Sequence, residues 1–226
     1  MIERKLLGTA AIPDGGGELK LYSRTLKGGD EFSIMLGGAE LMNSRKSGSE
    51  EALATLACEL IKPRAVPQIL IGGLGMGFTL RAALPPLPDN AQIIVAELVP
   101  AVVDWARGPM AELYGSSLDD PRVDIRAENV AAIIGAADRA FDAILLDVDN
   151  GPDGLTHESN EAIYSRTGLN AACKALRTDG VLAVWSSAPD AGFTRRLKEC
   201  GFMVSETKAR AHGTRGGHHV IWLARK

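Results

Sequence analysis

Short apolar runs separated by glycine-rich turns dominate the first part of the chain. The apolar runs lie at 5–7, 19–22 and 32–36, and clusters of glycine and aspartate separate them at 14–17 and 28–30. Alternating apolar and polar positions are typical of strands with one buried face, and glycine with aspartate is typical of tight turns. The pattern therefore predicts a small antiparallel β-meander, which we assign to residues 1–48.

The next segment has helical rather than strand periodicity. Apolar residues recur every three or four positions from Glu50 to Ile61, and Pro63 and Pro67 follow. The helix is expected to end there, because proline cannot donate a backbone hydrogen bond and clashes with the preceding turn. This helix would join the meander to the rest of the chain.

From residue 68 onward, continuous apolar runs alternate with helical stretches. Strands are predicted at 68–71, 92–97, 123–126, 143–147 and 181–186, helices at 76–84, 100–114, 130–137, 160–177 and 190–200, and final strands at 202–209 and 218–224. Continuous apolar strands that alternate with helices are typical of a parallel sheet covered on both faces. The last two strands have no helix between them and are expected to form a β-hairpin. We therefore predict an α/β fold over residues 49–226, with a doubly wound, seven-stranded and mostly parallel sheet.

The composition fits a globular chain and argues against several classes of protein. Of 226 residues, 46% are hydrophobic and 23% are charged, and the net charge is −3. Disordered chains carry fewer apolar residues, and proteins that bind nucleic acid are expected to be basic. The apolar runs are far shorter than the roughly 20 residues that span a bilayer, and the N-terminus lacks the apolar core of a secretory signal. We expect one main domain in the cytoplasm, without a membrane or nucleic-acid partner.

The cysteines and histidines do not indicate a metal site. Cys58, Cys173 and Cys200 are widely spaced and form no CxxC pair, so we interpret them as buried thiols. His218 and His219 are adjacent in a predicted strand. Their side chains are expected on opposite faces, where they cannot easily share one ion. We therefore expect no metal.

A glycine-rich loop follows the first predicted parallel strand and opens a helix. Gly73, Gly75 and Gly77 have the spacing GxGxG, whereas the dinucleotide-binding pattern GxGxxG would need glycine at position 78. Glycine lets the backbone turn tightly and approach a ligand, and the helix N-terminus supplies N–H donors. Glu97 ends the next strand, where a carboxylate can accept hydrogen bonds from both ribose hydroxyls. The arrangement favours an adenosine ligand held by an amine or amino-acid-like tail over one held by pyrophosphate.

A strongly acidic segment follows the fourth predicted strand of the parallel sheet. Between Asp147 and Glu161 there are five acids and no lysine or arginine, a local charge of −5 in a chain whose total is −3. Ligands of open α/β sheets bind beyond the carboxyl ends of the strands, where Asp147 is expected. The segment could attract an amine or a metal cation and close as a lid, or its aspartates could form a solvated turn.

At these residues the chain resembles the spermidine synthase family of polyamine aminopropyltransferases, within the S-adenosylmethionine-dependent methyltransferase folds. The resemblance rests on LIGGLGMG at 70–77, VAELVPAVVDWAR at 95–107, DPRV at 120–123, FDAILLDVDNGP at 141–152 and LRTDGVLAVWSS at 176–187. It implies a Rossmann-like domain behind an N-terminal β-meander, usually in a homodimer. It also implies transfer of an aminopropyl group from decarboxylated S-adenosylmethionine to a small cationic di- or polyamine.

The resemblance implies roles for residues on the donor side. The glycine loop, with Gly73, Gly75 and Gly77, would flank the sulfonium tail of the donor. Glu97 would bind the ribose, and Asn129 would lie near the adenine amino group, whose N–H an amide oxygen can accept.

The resemblance also implies roles on the acceptor side. Asp147 matches the aspartate that orients and helps to deprotonate the attacking amine beside the donor, and Tyr164 matches the tyrosine after the gating loop. Asp149 is a further catalytic candidate. Candidates for contact with the amine are Asp149, Asn150, Asp153 and Trp185. Trp185 ends the fifth parallel strand at the same edge as Asp147, although packing in the core is the competing interpretation of this large ring.

The chain departs from the family pattern in places that concern the acceptor. Asn150 stands where the family has a second loop aspartate, the segment 47–50 replaces a Tyr-His-Glu run, and Asn43 is the nearest counterpart of a glutamine in the meander. Two alternatives therefore stay open: methyl transfer from S-adenosylmethionine to a small molecule or RNA, and a non-catalytic nucleotide-binding or dimerisation module. Residues 194–226 hold eight Lys and Arg and two acids, a local +6 that would suit RNA.

Overall fold

A computed structural model describes residues 4–45, 47–62, 64–148, 162–212 and 215–226. The first four strands form an antiparallel sheet in sequence order. They are β1 (Lys5–Ala11), β2 (Glu18–Leu26), β3 (Gly29–Leu36) and β4 (Ala39–Asn43). Helix α1 follows at Gly48–Leu60. The fourth strand adds to the three runs expected from the sequence, and the division of the chain into units 1–48 and 49–226 stays a prediction.

The second sheet has seven strands and confirms the α/β fold class. Its strands are β5 (Gln68–Gly72), β6 (Gln92–Ala96), β7 (Val123–Arg126), β8 (Phe141–Leu146), β9 (Leu176–Ser186), β10 (Met203–His212) and β11 (Arg215–Arg225). Their order is β10-β11-β9-β8-β5-β6-β7. The five strands from β9 to β7 are parallel, whereas β11 is antiparallel to both β9 and β10. The closing β-hairpin is therefore present as expected.

Helices connect these strands and cover both faces of the sheet. They are α2 (Phe78–Ala83), α3 (Pro100–Arg107), α4 (Ala111–Tyr114), α5 (Val130–Ala136), α6 (Arg166–Ala175) and α7 (Ala191–Glu199). One hydrophobic cluster joins the meander, α1, α2 and α3 to one face, and a second joins α5, α6 and α7 to the other. Among the described helices, none is both long and apolar enough to cross a bilayer.

Several expected boundaries were wrong, each for a local reason. The helix expected at 100–114 is two helices, because Pro109 lacks a backbone N–H and disfavours helical geometry at Gly108. The helix expected from residue 76 begins only at Phe78, since Gly77 is left-handed with φ of +75°. The helix expected at 160–177 ends at Ala175, because β9 begins at Leu176. That strand was expected to begin only at residue 181.

The interpretation of all three cysteines as buried thiols was also wrong. Cys58 on α1 is buried, but Cys173 and Cys200 are only half-buried. Cys173 lies on α6 and Cys200 at the end of α7, both in the outer helix layer rather than in the sheet. Helix positions at that layer's edge are less enclosed than strand positions, so periodicity alone did not place them.

The register of the parallel strands positions the ligand-binding edge. Gly72 at the end of β5 lies beside Ala96 of β6 on one side and Leu146 of β8 on the other. Leu146 in turn lies beside Val184 of β9. The residues that follow these positions therefore emerge side by side at the carboxyl edge of the sheet, which is where open α/β sheets bind ligands.

Candidate functional site

The glycine loop that leaves β5 depends on glycine at its first and last positions. Gly73, Gly75 and Gly77 all have positive φ, of +88°, +51° and +75°. A Cβ on Gly73 would lie 2.6 Å from the backbone oxygen of Asp147, and one on Gly77 would lie 2.4 Å from the ring of Tyr114. No side chain fits at either distance. The loop therefore packs directly against the segment that carries Asp147.

Two buried side chains hold this loop in place. Glu97 accepts hydrogen bonds from the backbone N–H of Leu74 at 3.0 Å and from that of Val99 at 2.9 Å, one on each carboxylate oxygen. Tyr114 donates from its hydroxyl to the carbonyl oxygen of Gly75. Burial raises the pKa of Glu97, and the backbone N–H groups oppose that rise by stabilising the carboxylate. Glu97 thus shapes the loop as well as lining the space in front of it.

A pocket in front of the loop has a lining that suits a nucleoside. It encloses about 760 Å³ of empty space, part of it open to solvent. Its lining residues are Ile12, Leu19, Leu36, Leu41, Met42, Gly73, Gly75, Ala96, Glu97, Leu98, Val99, Val102, Asn129, Val130, Asp147 and Val148. Apolar side chains suit the faces of a base, and the carboxylates suit hydroxyl and cationic groups. The lining thus fits an adenosine carrying a cationic tail.

Asn129 lines this pocket and also caps a helix. Its Oδ1 accepts a hydrogen bond from the backbone N–H of Ala131 at 2.8 Å, at the start of α5. An amide oxygen has two lone pairs, so it can accept a second hydrogen bond from a ligand. The cap fixes the direction of the side chain toward the pocket edge.

Asp147 stands in the wall between this pocket and a second one. Its Oδ2 accepts a hydrogen bond from Thr79 Oγ1 at 2.6 Å. Desolvation, together with the nearby negative charge of Glu50, raises the pKa of Asp147 to about 7, and the Thr79 hydrogen bond opposes part of the rise. A carboxyl with a pKa near neutrality can accept a proton at physiological pH and release it again.

The second pocket is an acidic cleft on the far side of Asp147. Its lining residues are Glu40, Leu41, Met42, Asn43, Glu50, Gly75, Met76, Phe78, Asp147, Trp185, Ser187 and His219. Three of these are carboxylic acids, and none of these described residues is lysine or arginine. Glu40 is paired with Arg45 at 2.6 Å, and the negative charge of Glu50 acts on Asp147. We call this second pocket the acidic cleft.

Trp185 lines the acidic cleft, whereas Tyr164 contacts the segment next to Asp147. Trp185 is only 8% exposed and packs edge-to-face on His219 with ring centroids 4.8 Å apart. The Trp185 ring therefore lines the cleft and is also packed in the core. Tyr164 is buried and donates from its hydroxyl to the backbone oxygen of Val148 at 3.3 Å, so it supports the segment next to Asp147. Asp149, Asn150 and Asp153 lie outside the described residues.

Several site residues were missed from the sequence. Thr79, Tyr114 and Glu50 contact or influence the loop and Asp147, although nothing in their spacing marks them as partners. Only Thr79 had a usable signal, because it follows Gly77 by two residues in the first helical turn. Within the described ranges, no group of three His, Cys, Asp or Glu side chains is arranged to hold a metal ion.

Comparison with known proteins identifies the family. A family model described as the spermine/spermidine synthase domain matches residues 47–191. The chain belongs to the spermine/spermidine synthase family. A family relative, the polyamine aminopropyltransferase of Nitrosomonas europaea, is 31% identical over 124 residues. The aligned part is 54% of this chain and 36% of that protein, so the chain matches about a third of that relative's length.

Solved structures share the fold along nearly the whole chain. A spermidine synthase in complex with the transition state analogue AdoDATO superposes with a TM-score of 0.75 at 21% identity, over 98% of this chain and 72% of that one. The 1,6-didemethyltoxoflavin-N1-methyltransferase of Burkholderia thailandensis, with S-adenosylhomocysteine bound, gives a TM-score of 0.51 at 22% identity, over 78% and 79% of the two chains. The Rossmann-like fold of methyltransferases and spermidine synthases is therefore present here.

Proposed function

We propose that this protein is an aminopropyltransferase. It would move an aminopropyl group from decarboxylated S-adenosylmethionine to a small di- or polyamine, with Asp147 as the base that orients the amine. The observation that carries the proposal is the position of Asp147, a carboxyl with a pKa of about 7, in the wall shared by the acidic cleft and the pocket in front of the glycine loop. Donor and acceptor could thus meet at one carboxylate.

The lining of the first pocket supports a donor with a cationic, decarboxylated tail. Glu97 and Asp147 are the charged side chains among its lining residues, and both are acids. A tail that ends in an amine would be attracted to such a lining, whereas a tail that also carries a carboxylate would meet no lysine or arginine among these described residues. The residues that we assign to donor binding are Gly73, Gly75, Gly77, Glu97, Asn129 and Asp147. The spermidine synthase with bound AdoDATO supports this assignment by its similar fold.

The charges of the acidic cleft support an amine as the acceptor. Glu50 and Asp147 repel each other when both are ionised, and an ammonium group placed between them removes that repulsion. A positive charge beside Asp147 also lowers its pKa, because it stabilises the carboxylate. Binding of the amine therefore converts Asp147 to the ionised form that can accept a proton.

The chemistry then requires orientation and one proton transfer. A primary ammonium has a reference pKa of about 10.4 and must lose a proton before its nitrogen can act as a nucleophile. Asp147 accepts that proton while the nitrogen forms a bond to the methylene carbon beside the sulfonium. The donor supplies the leaving group, because the carbon–sulfur bond breaks and its electron pair neutralises the sulfur. A positioned base contributes about 10²–10⁴-fold, and the rest must come from orientation.

Further residue assignments extend this proposal. Asp149 and Tyr164 are proposed as further catalytic residues, and Asn150, Asp153 and Trp185 as contacts of the amine. The hydroxyl of Tyr164 supports its assignment, since it holds the backbone next to Asp147. A homodimer in the cytoplasm, without a resident metal, remains our expectation.

Replacement of Asp147 tests the proposal. Asp147→Asn keeps the shape of the side chain and can still accept the Thr79 hydrogen bond, but it cannot accept a proton. We expect aminopropyl turnover to fall at least about 100-fold, while calorimetry shows nucleoside binding within about twofold of the wild type. Asp104→Asn, the same change at an exposed position on α3, serves as the control. A fully active Asp147→Asn variant would rule out Asp147 as the base.

A further inference from the structure

A hydrogen-bonded chain of three side chains lies at one end of the acidic cleft. Ser49 Oγ donates to Glu50 Oε2 at 2.6 Å and lies 2.8 Å from His219 Nδ1. Ser49 and Glu50 belong to the first turn of α1, and His219 belongs to β11, 170 residues further along the chain. The contact therefore joins the helix after the meander to the closing hairpin.

The hydrogen positions among these three side chains follow from the single hydrogen of the serine hydroxyl. A serine hydroxyl has one hydrogen, and the 2.6 Å contact directs it to the carboxylate of Glu50. His219 Nδ1 must then carry a hydrogen and donate to Ser49 Oγ. The imidazole thus acts through the serine to hold the carboxylate of Glu50.

The order of the three groups argues against a nucleophilic serine. Activation of a hydroxyl requires a base that accepts its proton, usually an imidazole that a carboxylate orients. Here the carboxylate contacts the hydroxyl, and Ser49 is fully buried. These side chains are therefore arranged to position Glu50 and not to attack a substrate.

The residue held in this way lies near Asp147. Thr79 Oγ1, which donates to Asp147 at 2.6 Å, also lies 3.5 Å from the backbone oxygen of Glu50. Both acids line the same cleft, and the charge of Glu50 acts on Asp147. A glutamate side chain has several rotamers, and the hydrogen bond from Ser49 restricts those of Glu50.

We propose that His219 is a positioning residue for the acceptor: through Ser49 it fixes the Glu50 carboxylate opposite Asp147, so that both acids receive one ammonium group. The inference rests on the proposed aminopropyl transfer for the identity of the acceptor. The imidazole also packs edge-to-face on Trp185, at 4.8 Å between ring centroids, which restricts its rotation. The adjacent His218 is exposed and takes no part.

The first test is calorimetric titration of the full chain, saturated with 5′-methylthioadenosine, with 1,4-diaminobutane. We expect His219→Ala to raise the Kd for the diamine about tenfold, because a hydrogen bond to a charged group is lost, while nucleoside binding is unchanged. His218→Ala is the matched control and should bind the diamine like the wild type. His219→Asn should restore most of the affinity, since its amide nitrogen can replace Nδ1.

Ser49→Ala separates positioning from simple packing. If His219 acts through Ser49, then Ser49→Ala weakens diamine binding as much as His219→Ala does, and the double variant shows no further loss. If the imidazole only packs against Trp185, Ser49→Ala has no effect on the Kd and His219→Asn fails to restore it. That second pattern would overturn the inference.

Turnover measured on the same variants distinguishes this inference from the proposed function. Wild type that binds the diamine but transfers no aminopropyl group, with weaker binding in His219→Ala, would reject the reaction and retain the positioning role. Active wild type with equal diamine Kd values for the two histidine variants would reject the positioning role alone. Wild type that neither binds the diamine nor turns over would reject both.

Discussion

At the scale of single residues, the site depends on the environment of Asp147. Two effects raise its pKa: partial desolvation of the half-buried carboxyl and the nearby negative charge of Glu50. A pKa of about 7 leaves roughly equal amounts of acid and carboxylate at neutral pH. The same aspartate in water would be fully ionised and a much weaker base. Burial beside a second acid therefore gives this side chain its proposed chemistry.

The contribution of Glu50 predicts a shift in the pH dependence of the reaction. The value of kcat/KM reports ionisations of the free enzyme, so its rising limb is expected near pH 7, where Asp147 loses its proton. Glu50→Gln removes a negative charge, which favours the ionised form of Asp147 and moves the limb to lower pH. Rates measured from pH 5 to 9 would show the shift.

Glu51→Gln is the matched control for this experiment. It makes the same change at the next position of α1, and its profile should overlay that of the wild type. Coincident profiles for the wild type and Glu50→Gln would contradict the claim that Glu50 raises the pKa of Asp147.

At the scale of elements, the loop between β5 and α2 connects the sheet to the candidate site. Its glycines allow the backbone to lie against the Asp147 segment on one side and the Tyr114 ring on the other. Tyr114 is the last residue of α4, which begins at Ala111 after α3 ends at Arg107, and its hydroxyl donates to Gly75 of the loop. The second of these two short helices therefore holds the glycine loop in place.

Replacement of the last loop glycine tests this dependence. Gly77→Ala places a Cβ 2.4 Å from the Tyr114 ring at a residue with φ of +75°. We expect a loss of about 1–3 kcal/mol in the free energy of unfolding, together with weaker nucleoside binding. Urea denaturation and calorimetry would measure the two effects.

Gly135→Ala provides the control at an exposed position inside α5. A Cβ there meets no atom within 4 Å, so alanine should be neutral or stabilise the helix by up to about 1 kcal/mol. A Gly77→Ala variant as stable as Gly135→Ala, with unchanged nucleoside affinity, would show that the loop does not need glycine there.

The elements show what could be predicted from sequence and what could not. The parallel strands, the glycine loop and the edge position of Asp147 follow from local patterns, because apolar runs and glycine spacing are encoded within a few residues. The partners Thr79, Tyr114 and His219 come from distant positions, and spacing along a chain does not show which side chains converge. The break at Gly108 could have been predicted from Pro109 alone.

At the scale of the whole molecule, the two ends of the sheet have different roles. At the amino end, fully buried Asp142 accepts hydrogen bonds from Arg177 at 2.8 Å and from the backbone N–H of Gln68 at 2.9 Å, and pairs with Arg64 at 3.1 Å. These contacts tie together the start of β5, β8 and β9. At the carboxyl end, Glu97, Glu50 and Asp147 converge on the two pockets. The small net charge of −3 therefore does not reveal the acidic site at the carboxyl end of the sheet, which suits cationic ligands.

The central claim is that these two pockets serve aminopropyl transfer. The most direct test incubates the wild-type chain with 1,4-diaminobutane and either decarboxylated S-adenosylmethionine or S-adenosylmethionine, and identifies the products by mass spectrometry. We predict that the decarboxylated donor yields an aminopropylated diamine and 5′-methylthioadenosine, and that S-adenosylmethionine yields no methylated diamine. A methylated product from S-adenosylmethionine, or consumption of neither donor, would contradict the account.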